Sequence, residues 1–179
     1  MNLTEKQISS KYIFKGRIIS LRVDEAELPN GKTASREVVE HNGGVTVVPL
    51  TDNNEVIMVE QFRYACGRPV MEIPAGKIDK GETDPAAVAA RELREETGYT
   101  AENIFLLGKI NTSAAYSEEM ISVYAMTGLT EGEQQLDADE ALNVIKMPFK
   151  EAYDMAAAGR LIDAKTIAAL LMAKEQLGL

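Results

Sequence analysis

The chain has 179 residues and carries 28 acidic and 19 basic side chains, for a formal net charge of −9. This length predicts one main domain with a sizeable core, and the acidic balance disfavours a nucleic-acid-binding protein. The sequence shows neither a signal-peptide pattern nor an apolar run of membrane-spanning length, so a cytoplasmic location is expected. With Cys66 and His41 as the only cysteine and histidine, an intrachain disulfide and a cysteine-based metal site are excluded, and His41 is interpreted as a surface or structural residue.

Residues 1–41 are predicted to form a small antiparallel sheet. Weak alternation over Tyr12–Leu28 indicates strands, Pro29–Lys32 indicates a turn, and Ser35–His41 is the expected partner strand. One face of the first part carries the apolar side chains Ile19, Leu21 and Val23. Because so small an element is not stable alone, we expect it to pack on the main domain, residues 42–179, or on another subunit.

The main domain is predicted to combine strands with helices. The predicted strands are Val45–Leu50, Val56–Phe62, Val70–Ile73, Phe105–Ile110, Ile121–Thr127 and Leu142–Met147. Two helices close the chain: Pro148–Ala158, and a second helix that Asp163 caps. The apolar stripe of the second helix is expected at Ile167, Leu170 and Leu171. Both helices are interpreted as packing elements without a chemical role.

A further helix, earlier in the chain, is predicted from residues that are typical of helix ends. Asp84 is predicted to be the N-cap, Pro85 the first helical residue and Gly98 the left-handed residue after the last turn. The stripe that should pack on the core is Ala86, Ala89, Ala90, Leu93 and Thr97.

Three carboxylates, those of Glu92, Glu95 and Glu96, share one face of this helix. Like charges at these spacings destabilise a helix by about 0.2–0.5 kcal/mol per pair, and the helix C-terminus disfavours each anion by about 0.3–1 kcal/mol. A solvated acidic face is one explanation, since Arg91 and Arg94 offset part of the repulsion. A bound divalent cation is the other, and oxygen ligands without His or Cys favour Mg²⁺ or Mn²⁺ over zinc.

The stretch that contains this helix resembles the Nudix box, which reads Gly, five residues, Glu, seven residues, then Arg-Glu-apolar-any-Glu-Glu-any-Gly-apolar. The matching residues are Gly76, Glu82, Arg91, Glu92, Leu93, Glu95, Glu96, Gly98 and Tyr99. Eight residues rather than seven separate Glu82 from Arg91, and the extra residue falls in the loop before the helix. The resemblance implies an α+β Nudix fold, in which a mixed sheet lies between helices, together with the small N-terminal sheet.

Further segments resemble the ADP-ribose pyrophosphatase branch of that family: VEQFRY, MEIPAGKID, TSAAYSEE, LDADEALNV and DAKTIAALL. This resemblance implies Mg²⁺-dependent hydrolysis of ADP-ribose to AMP and ribose 5-phosphate by water, with no covalent enzyme intermediate. It also implies a homodimer in which the N-terminal sheet reaches across the interface. Other nucleotide sugars such as GDP-mannose or ADP-glucose, an oxidised nucleotide, and a catalytically silent nucleotide-binding domain stay open as alternatives, whereas capped RNA is disfavoured by the acidic charge.

The resemblance also implies roles for single residues in the metal site. The metal ligands would be the carbonyl of Ala75 and the carboxylates of Glu92, Glu95 and Glu96. Arg91 would brace these carboxylates, and Gly76 would present its backbone to the same site. Glu140, in the late acidic loop, could be a metal ligand or the general base, with Asp139, Glu118 and Glu119 as alternatives.

Substrate contacts are assigned in the same way. Arg63 matches a phosphate-contacting position, for which its fork of N–H donors is suited, and Arg36 and Glu72 are further candidates for holding substrate. One of the aromatic residues Phe62, Tyr64 and Tyr116 could stack on the adenine. The sequence departs from the branch at Ala114-Ala115, where many relatives have Pro-Gly in a loop associated with the terminal ribose, and at Ala138, where an acid is usual.

Overall fold

The computed structural model describes residues 2–136, 138 and 140–179. These residues form two compact units. The first takes in the chain as far as Gly43 together with Asn111–Met120, and the second consists of Gly44–Ile110 and Ile121–Leu179. Among the helices of the described residues, none is both long enough and apolar enough to cross a membrane.

The first unit contains a three-stranded antiparallel sheet in the order β1-β2-β3. Its strands are β1 (Lys6–Lys15), β2 (Ser20–Glu27) and β3 (Thr33–Glu40). The predicted turn between β2 and β3 is confirmed, because the Leu28 N–H donates to the Lys32 carbonyl at 2.7 Å and Gly31 has a φ of 78°. The first strand begins at Lys6, before the predicted start at Tyr12, since a strand that is exposed along its whole length can accept polar residues.

The buried face of β2 is not the apolar face seen in the sequence. Asp24 and Ala26 are buried, whereas Leu21 and Val23 on the other face are only partly buried. The reason lies in the Asn111–Met120 segment of the same unit, whose Glu118 carboxylate pairs with the Arg22 guanidinium at 2.5 Å on the polar face of β2.

The second unit contains two sheets. The four-stranded sheet has the order β7-β4-β9-β8, and the three-stranded antiparallel sheet has the order β10-β5-β6. The strands are β4 (Gly44–Pro49), β5 (Glu55–Arg63), β6 (Arg68–Glu72), β7 (Ala75–Lys77), β8 (Thr100–Asn111), β9 (Met120–Thr130) and β10 (Leu142–Pro148). The larger sheet is mixed, because β4 pairs with β9 in parallel and with β7 in antiparallel fashion.

Helices α1 (Pro85–Thr97) and α3 (Ala164–Leu177) pack on the mixed sheet, whereas α2 (Phe149–Ala157) packs on α3 and on the three-stranded sheet. Side chains alternate between the two faces of a strand, so Val45 and Val47 pack with α1, whereas Val48 packs with α2 and α3 in a second apolar cluster. The predicted α+β fold, with a mixed sheet between helices, is confirmed.

The predicted ends of α1 and the predicted start of α3 are confirmed. The Asp84 side chain accepts the Ala86 N–H at 3.0 Å, and Gly98 ends α1 with a φ of 79°. Asp163 likewise caps α3. The stripe predicted for α3 is wrong at Leu171, which is 37% exposed. The buried residues of α3 are Lys165, Thr166, Ala169, Leu170 and Ala173.

Candidate active site

The loop that follows β6 is fixed to the core by its backbone. The Pro74 carbonyl accepts the Thr46 hydroxyl at 3.0 Å and the Val47 N–H at 2.9 Å. The next residue, Ala75, donates its N–H to a Glu96 carboxylate oxygen at 3.1 Å. The loop is therefore tied both to β4 and to the last turn of α1.

Gly76 lies directly against Glu92. A Cβ atom at this position would overlap all three atoms of the Glu92 carboxyl group. Any larger residue would displace either the loop or the Glu92 carboxylate, which is the end of a flexible side chain.

Arg91 holds two of the three helix carboxylates. Its guanidinium lies 2.9 Å from Glu92 and 2.6 Å from Glu95, and it also reaches Glu82 at 3.4 Å. The pair with Glu95 forms although the Arg-before-Glu order is the weaker one on a helix. Glu82 in turn accepts the Asp79 N–H at 2.7 Å, so the longer loop still brings this carboxylate to Arg91.

The buried carboxylates of α1 hold their protons more tightly than ordinary glutamates do. Burial raises the pKa of Glu92 to about 7, against the opposing charge of Arg91, and the nearby carboxylates Glu95 and Glu140 add to the rise. Burial raises the pKa of Glu96 to about 8, with Glu92 and Glu140 again adding to it and the Ala75 N–H opposing it. Arg91 therefore offsets only part of the effect of burial on Glu92, and Glu96 forms no ion pair among the described residues.

The donor atoms around this charge fit a hard divalent cation. The predicted ligand atoms are all oxygens, from the Ala75 carbonyl and from Glu92, Glu95 and Glu96, which is the ligand chemistry of Mg²⁺ and Mn²⁺. Within the described part of the chain, no three His, Cys, Asp or Glu side chains already converge as metal ligands. Arg91 forms its ion pairs with one oxygen of each carboxylate, Oε1 of Glu92 and Oε2 of Glu95.

A second charged group lies at the ends of β5 and β6. Arg63 donates from Nε and Nη2 to the two oxygens of Glu72 at 2.6 and 2.7 Å. The Glu72 carboxylate is 2% exposed and is also contacted by the Lys165 ammonium of α3. Burial alone would raise the pKa of Glu72, but Arg63 and Lys165 outweigh burial and lower it. The positive charge of Arg63 slightly opposes the rise that burial causes in the pKa of Glu96, which links this group to the carboxylate cluster.

Glu140 is exposed and lines a cavity of about 460 Å³. The cavity also has apolar walls, among them Phe62 and Leu142. Phe62 and Tyr64 are 58% and 92% exposed, so neither is a core residue. A cavity of this volume lies in the range that small ligands occupy.

The remaining candidates belong to the first unit or lie outside the described residues. In the first unit, Arg36 pairs with Glu5 at 2.6 Å, and Glu119 accepts the Thr112 hydroxyl at 2.7 Å. Glu118 of that unit pairs with Arg22, as described above, and Tyr116 and the Ala114-Ala115 segment are exposed. Asp139 lies outside the described residues.

The interpretation of α3 as a packing helix missed Lys165. This residue is 9% exposed and touches Glu72, which lies far from it in the sequence. The available signal was a lysine in the first turn of the helix, two residues after the capping Asp163. That position does not suit a cation by itself, because a helix N-terminus favours anions.

Two family models match the chain. Residues 40–170 match the model described as NUDIX domain, and residues 5–39 match the model described as nucleoside diphosphate sugar hydrolase N-terminal domain. The chain is 43% identical to the methanol dehydrogenase activator of Bacillus methanolicus, over 93% of this chain and 90% of the relative. It is 41% identical to the ADP-ribose pyrophosphatase of Bacillus subtilis (strain 168), over 98% of this chain and 97% of the relative.

A solved structure described as an ADP compounds hydrolase shares the fold. Its TM-score is 0.85 at 21% identity, with 99% of this chain and 97% of that chain covered. At 21% identity, this similarity is evidence for the fold only.

Proposed function

The chain belongs to the Nudix family, and from this premise we propose that it hydrolyses the pyrophosphate bond of a nucleoside diphosphate sugar. ADP-ribose is the favoured substrate, giving AMP and ribose 5-phosphate. The observation that carries the proposal is the pair of buried carboxylates, Glu92 and Glu96, which lie against the Ala75–Gly76 backbone.

The metal in this proposal is Mg²⁺, with Mn²⁺ as the alternative ion. The residues that would hold it are the Ala75 carbonyl, Glu92, Glu95, Glu96 and Glu140. When bound, such an ion neutralises charge on the diphosphate and makes water more acidic. Arg91 keeps the charges of Glu92 and Glu95 together in the metal-free protein, because it is within 2.9 Å of both carboxylates.

We assign the protein's own substrate contacts to three places. Arg63 binds phosphate oxygens, and Glu72 holds its guanidinium in place through two hydrogen bonds. Gly76 contributes backbone close to the carboxylates. Arg36 is a further substrate-binding residue in this proposal, and its guanidinium pairs with Glu5 at 2.6 Å.

Glu140 is the proposed general base, which takes a proton from the attacking water. It is exposed, and its charge raises the pKa of both Glu92 and Glu96, which supports a place beside them. A general base contributes about 10²–10⁴-fold to a rate, so Glu140→Gln should lower kcat by that order. An unchanged kcat would assign the role to Glu118, Glu119 or Asp139 instead.

Residues 1–41 are proposed to form the homodimer contact of the enzyme. Their sheet leaves many apolar side chains exposed, which is typical of a surface that another chain covers. These side chains include Ile8, Tyr12, Ile13, Phe14, Ile18 and Ile19. The cytoplasmic location stays a prediction.

Two other functions are the alternatives to be tested. The first is hydrolysis of another nucleotide sugar, such as GDP-mannose, through the same diphosphate chemistry. The second is a silent nucleotide-binding domain. Silence is disfavoured because Glu92, Glu95 and Glu96 are all present, and a binding domain has no need of carboxylates that repel one another.

The proposal is tested by assaying ADP-ribose, ADP-glucose and GDP-mannose with Mg²⁺ and with Mn²⁺. Glu96→Gln should lower kcat about 10²-fold or more, because it removes a metal ligand. Glu151→Gln, at an exposed position of α2, is the matched control and should keep full activity. Binding of ADP-ribose without turnover of any of these diphosphates would support the silent domain, and faster turnover of GDP-mannose would change the substrate only.

A further inference from the structure

We propose that Lys165 is a positioning residue that keeps the Arg63 guanidinium available for the diphosphate of the substrate. The substrate in this inference is the one of the proposed function, whereas the contacts of Lys165 do not depend on that function. The Lys165 ammonium contacts the Glu72 carboxylate and lies 2.9 Å from Asp163. It is thus a buried cation between two carboxylates, next to the residue that binds Arg63.

The four charges of this group balance one another. Arg63 and Lys165 supply two positive charges, and Glu72 and Asp163 supply two negative ones. A buried ion is tolerated only when its charge is matched and its hydrogen bonds are made. Removal of Lys165 would leave Arg63 alone against both carboxylates.

The geometry of Arg63 shows why this balance matters for a ligand. Its Nε and Nη2 atoms are both taken by Glu72. No hydrogen bond from Nη1 is present among the residues that the structure describes, and the side chain is 41% exposed. Arg63 can therefore offer a remaining donor edge to a phosphate. Without Lys165, Glu72 and Asp163 would leave an excess of negative charge beside Arg63. The free edge of Arg63 would then attract a dianionic diphosphate less strongly.

The first turn of α3 sets the position of Lys165 independently of its charge. Asp163 caps the turn by accepting the Thr166 N–H at 3.0 Å, and the Thr166 hydroxyl accepts the Ile73 N–H at 3.0 Å. The helix is thereby bonded to the residue that follows Glu72. Thr166 is uncharged and anchors the helix through this hydrogen bond. A Thr166 variant therefore tests the loss of the anchor, and a Lys165 variant tests the loss of the charge.

The test uses steady-state kinetics with ADP-ribose and Mg²⁺. Lys165→Met should raise KM about tenfold while kcat stays within about threefold, because the change weakens ground-state binding of phosphate. Lys165→Arg should restore a KM close to that of the wild type. Lys174→Met removes the same charge from the last turn of α3, where the lysine lies over Tyr153, and should change neither constant. Thr166→Val should lower Tm without raising KM.

A double variant decides whether Lys165 acts through Arg63. In an Arg63→Met background, Lys165→Met should add no further rise in KM, whereas a purely structural role predicts that the two losses add. Additive losses, or a fall in kcat at unchanged KM, would overturn the proposal.

A readout without turnover separates this inference from the proposed function. The Nε–H signal of Arg63 in ¹⁵N NMR is assigned by its absence in Arg63→Met. We expect Lys165→Met to shift this signal and Lys174→Met to leave it unchanged. A wild type that hydrolyses no diphosphate refutes the function alone, whereas an unchanged Arg63 signal in Lys165→Met refutes the positioning role.

Discussion

At the scale of single residues, the proposed metal site depends on close packing between the Gly76 backbone and the Glu92 carboxylate. Gly76 and Glu92 come together because β7 and α1 are joined at Ala75 and Glu96. The contact leaves no room for a side chain on the loop. A change of one carbon atom at this position is therefore expected to move a proposed metal ligand.

Gly76→Ala should lower kcat/KM by about 10²-fold, the loss that follows a shift of a catalytic group by about 1 Å. The matched control is Gly108→Ala, because a Cβ at Gly108 would meet nothing closer than Met172, at 3.6 Å. Kinetics and thermal unfolding of both variants are the measurements. Full activity in Gly76→Ala would mean that Glu92 does not need its present position.

A second expectation for single residues concerns pH in the absence of metal. The folded-state pKa values of Glu92 and Glu96 are raised to about 7 and about 8 from an ordinary 4.5. The folded state therefore holds these protons more tightly than the unfolded state. The resulting stabilisation is fully present below pH 4.5 and is lost as pH rises through 7 and 8.

In a chelating buffer, the free energy of unfolding should thus fall between pH 5 and pH 9, as measured by urea denaturation. Glu96→Gln should flatten this fall, and added Mg²⁺ should oppose it in the wild type. Because the pKa of Glu72 is lowered, its contribution is lost only in acid, below this window. A stability that rises between pH 5 and pH 9 would contradict the raised pKa values.

At the scale of elements, the structure shows which sequence signals are local. The ends of α1 could be predicted because Asp84, Pro85 and Gly98 each act on their own turn of backbone. The carboxylates of α1 could be selected for the same reason, since their mutual repulsion follows from spacing alone. Pairing between distant residues could not be predicted, and the contact of Lys165 with Glu72 is such a case.

The same distinction explains the N-terminal strands. The turn before β3 could be predicted from its own residues, whereas the buried face of β2 depends on a segment far along the chain. In that segment, the Tyr116 carbonyl accepts the Val39 N–H at 2.7 Å and the Glu118 N–H donates to the Val39 carbonyl at 3.0 Å. The residue pattern of β2 alone therefore cannot predict which of its faces is buried.

The Arg22–Glu118 ion pair is expected to hold the Asn111–Met120 segment on β2 and β3. Glu118→Gln should speed hydrogen exchange of the Glu118 and Val39 amides severalfold, because it weakens the link while keeping the shape of the side chain. Glu25→Gln, at an exposed position of β2, is the control. Unchanged exchange of both amides would show that the backbone bonds suffice.

At the scale of the whole molecule, the proposed dimer follows from an edge strand that nothing in the described chain covers. Strand β1 lies at the edge of its sheet and is exposed at all ten of its residues. Long exposed edges with apolar side chains favour pairing with another chain. A second copy of the chain is the proposed cover, and a two-fold dimer is the commonest such assembly.

Light scattering after gel filtration should therefore give the wild type twice the chain mass of 19.6 kDa. Phe14→Lys places a charge among the exposed apolar residues of β1 and should shift the protein toward the single-chain mass, because burial of an unpaired charge is costly. The matched control is Ile162→Lys, at a comparably exposed apolar residue of the second unit, which should leave the mass unchanged. Circular dichroism establishes that both variants remain folded. A wild type of single-chain mass at micromolar concentration would refute the dimer and leave the proposed metal site untouched, because Glu92, Glu95 and Glu96 all belong to the second unit.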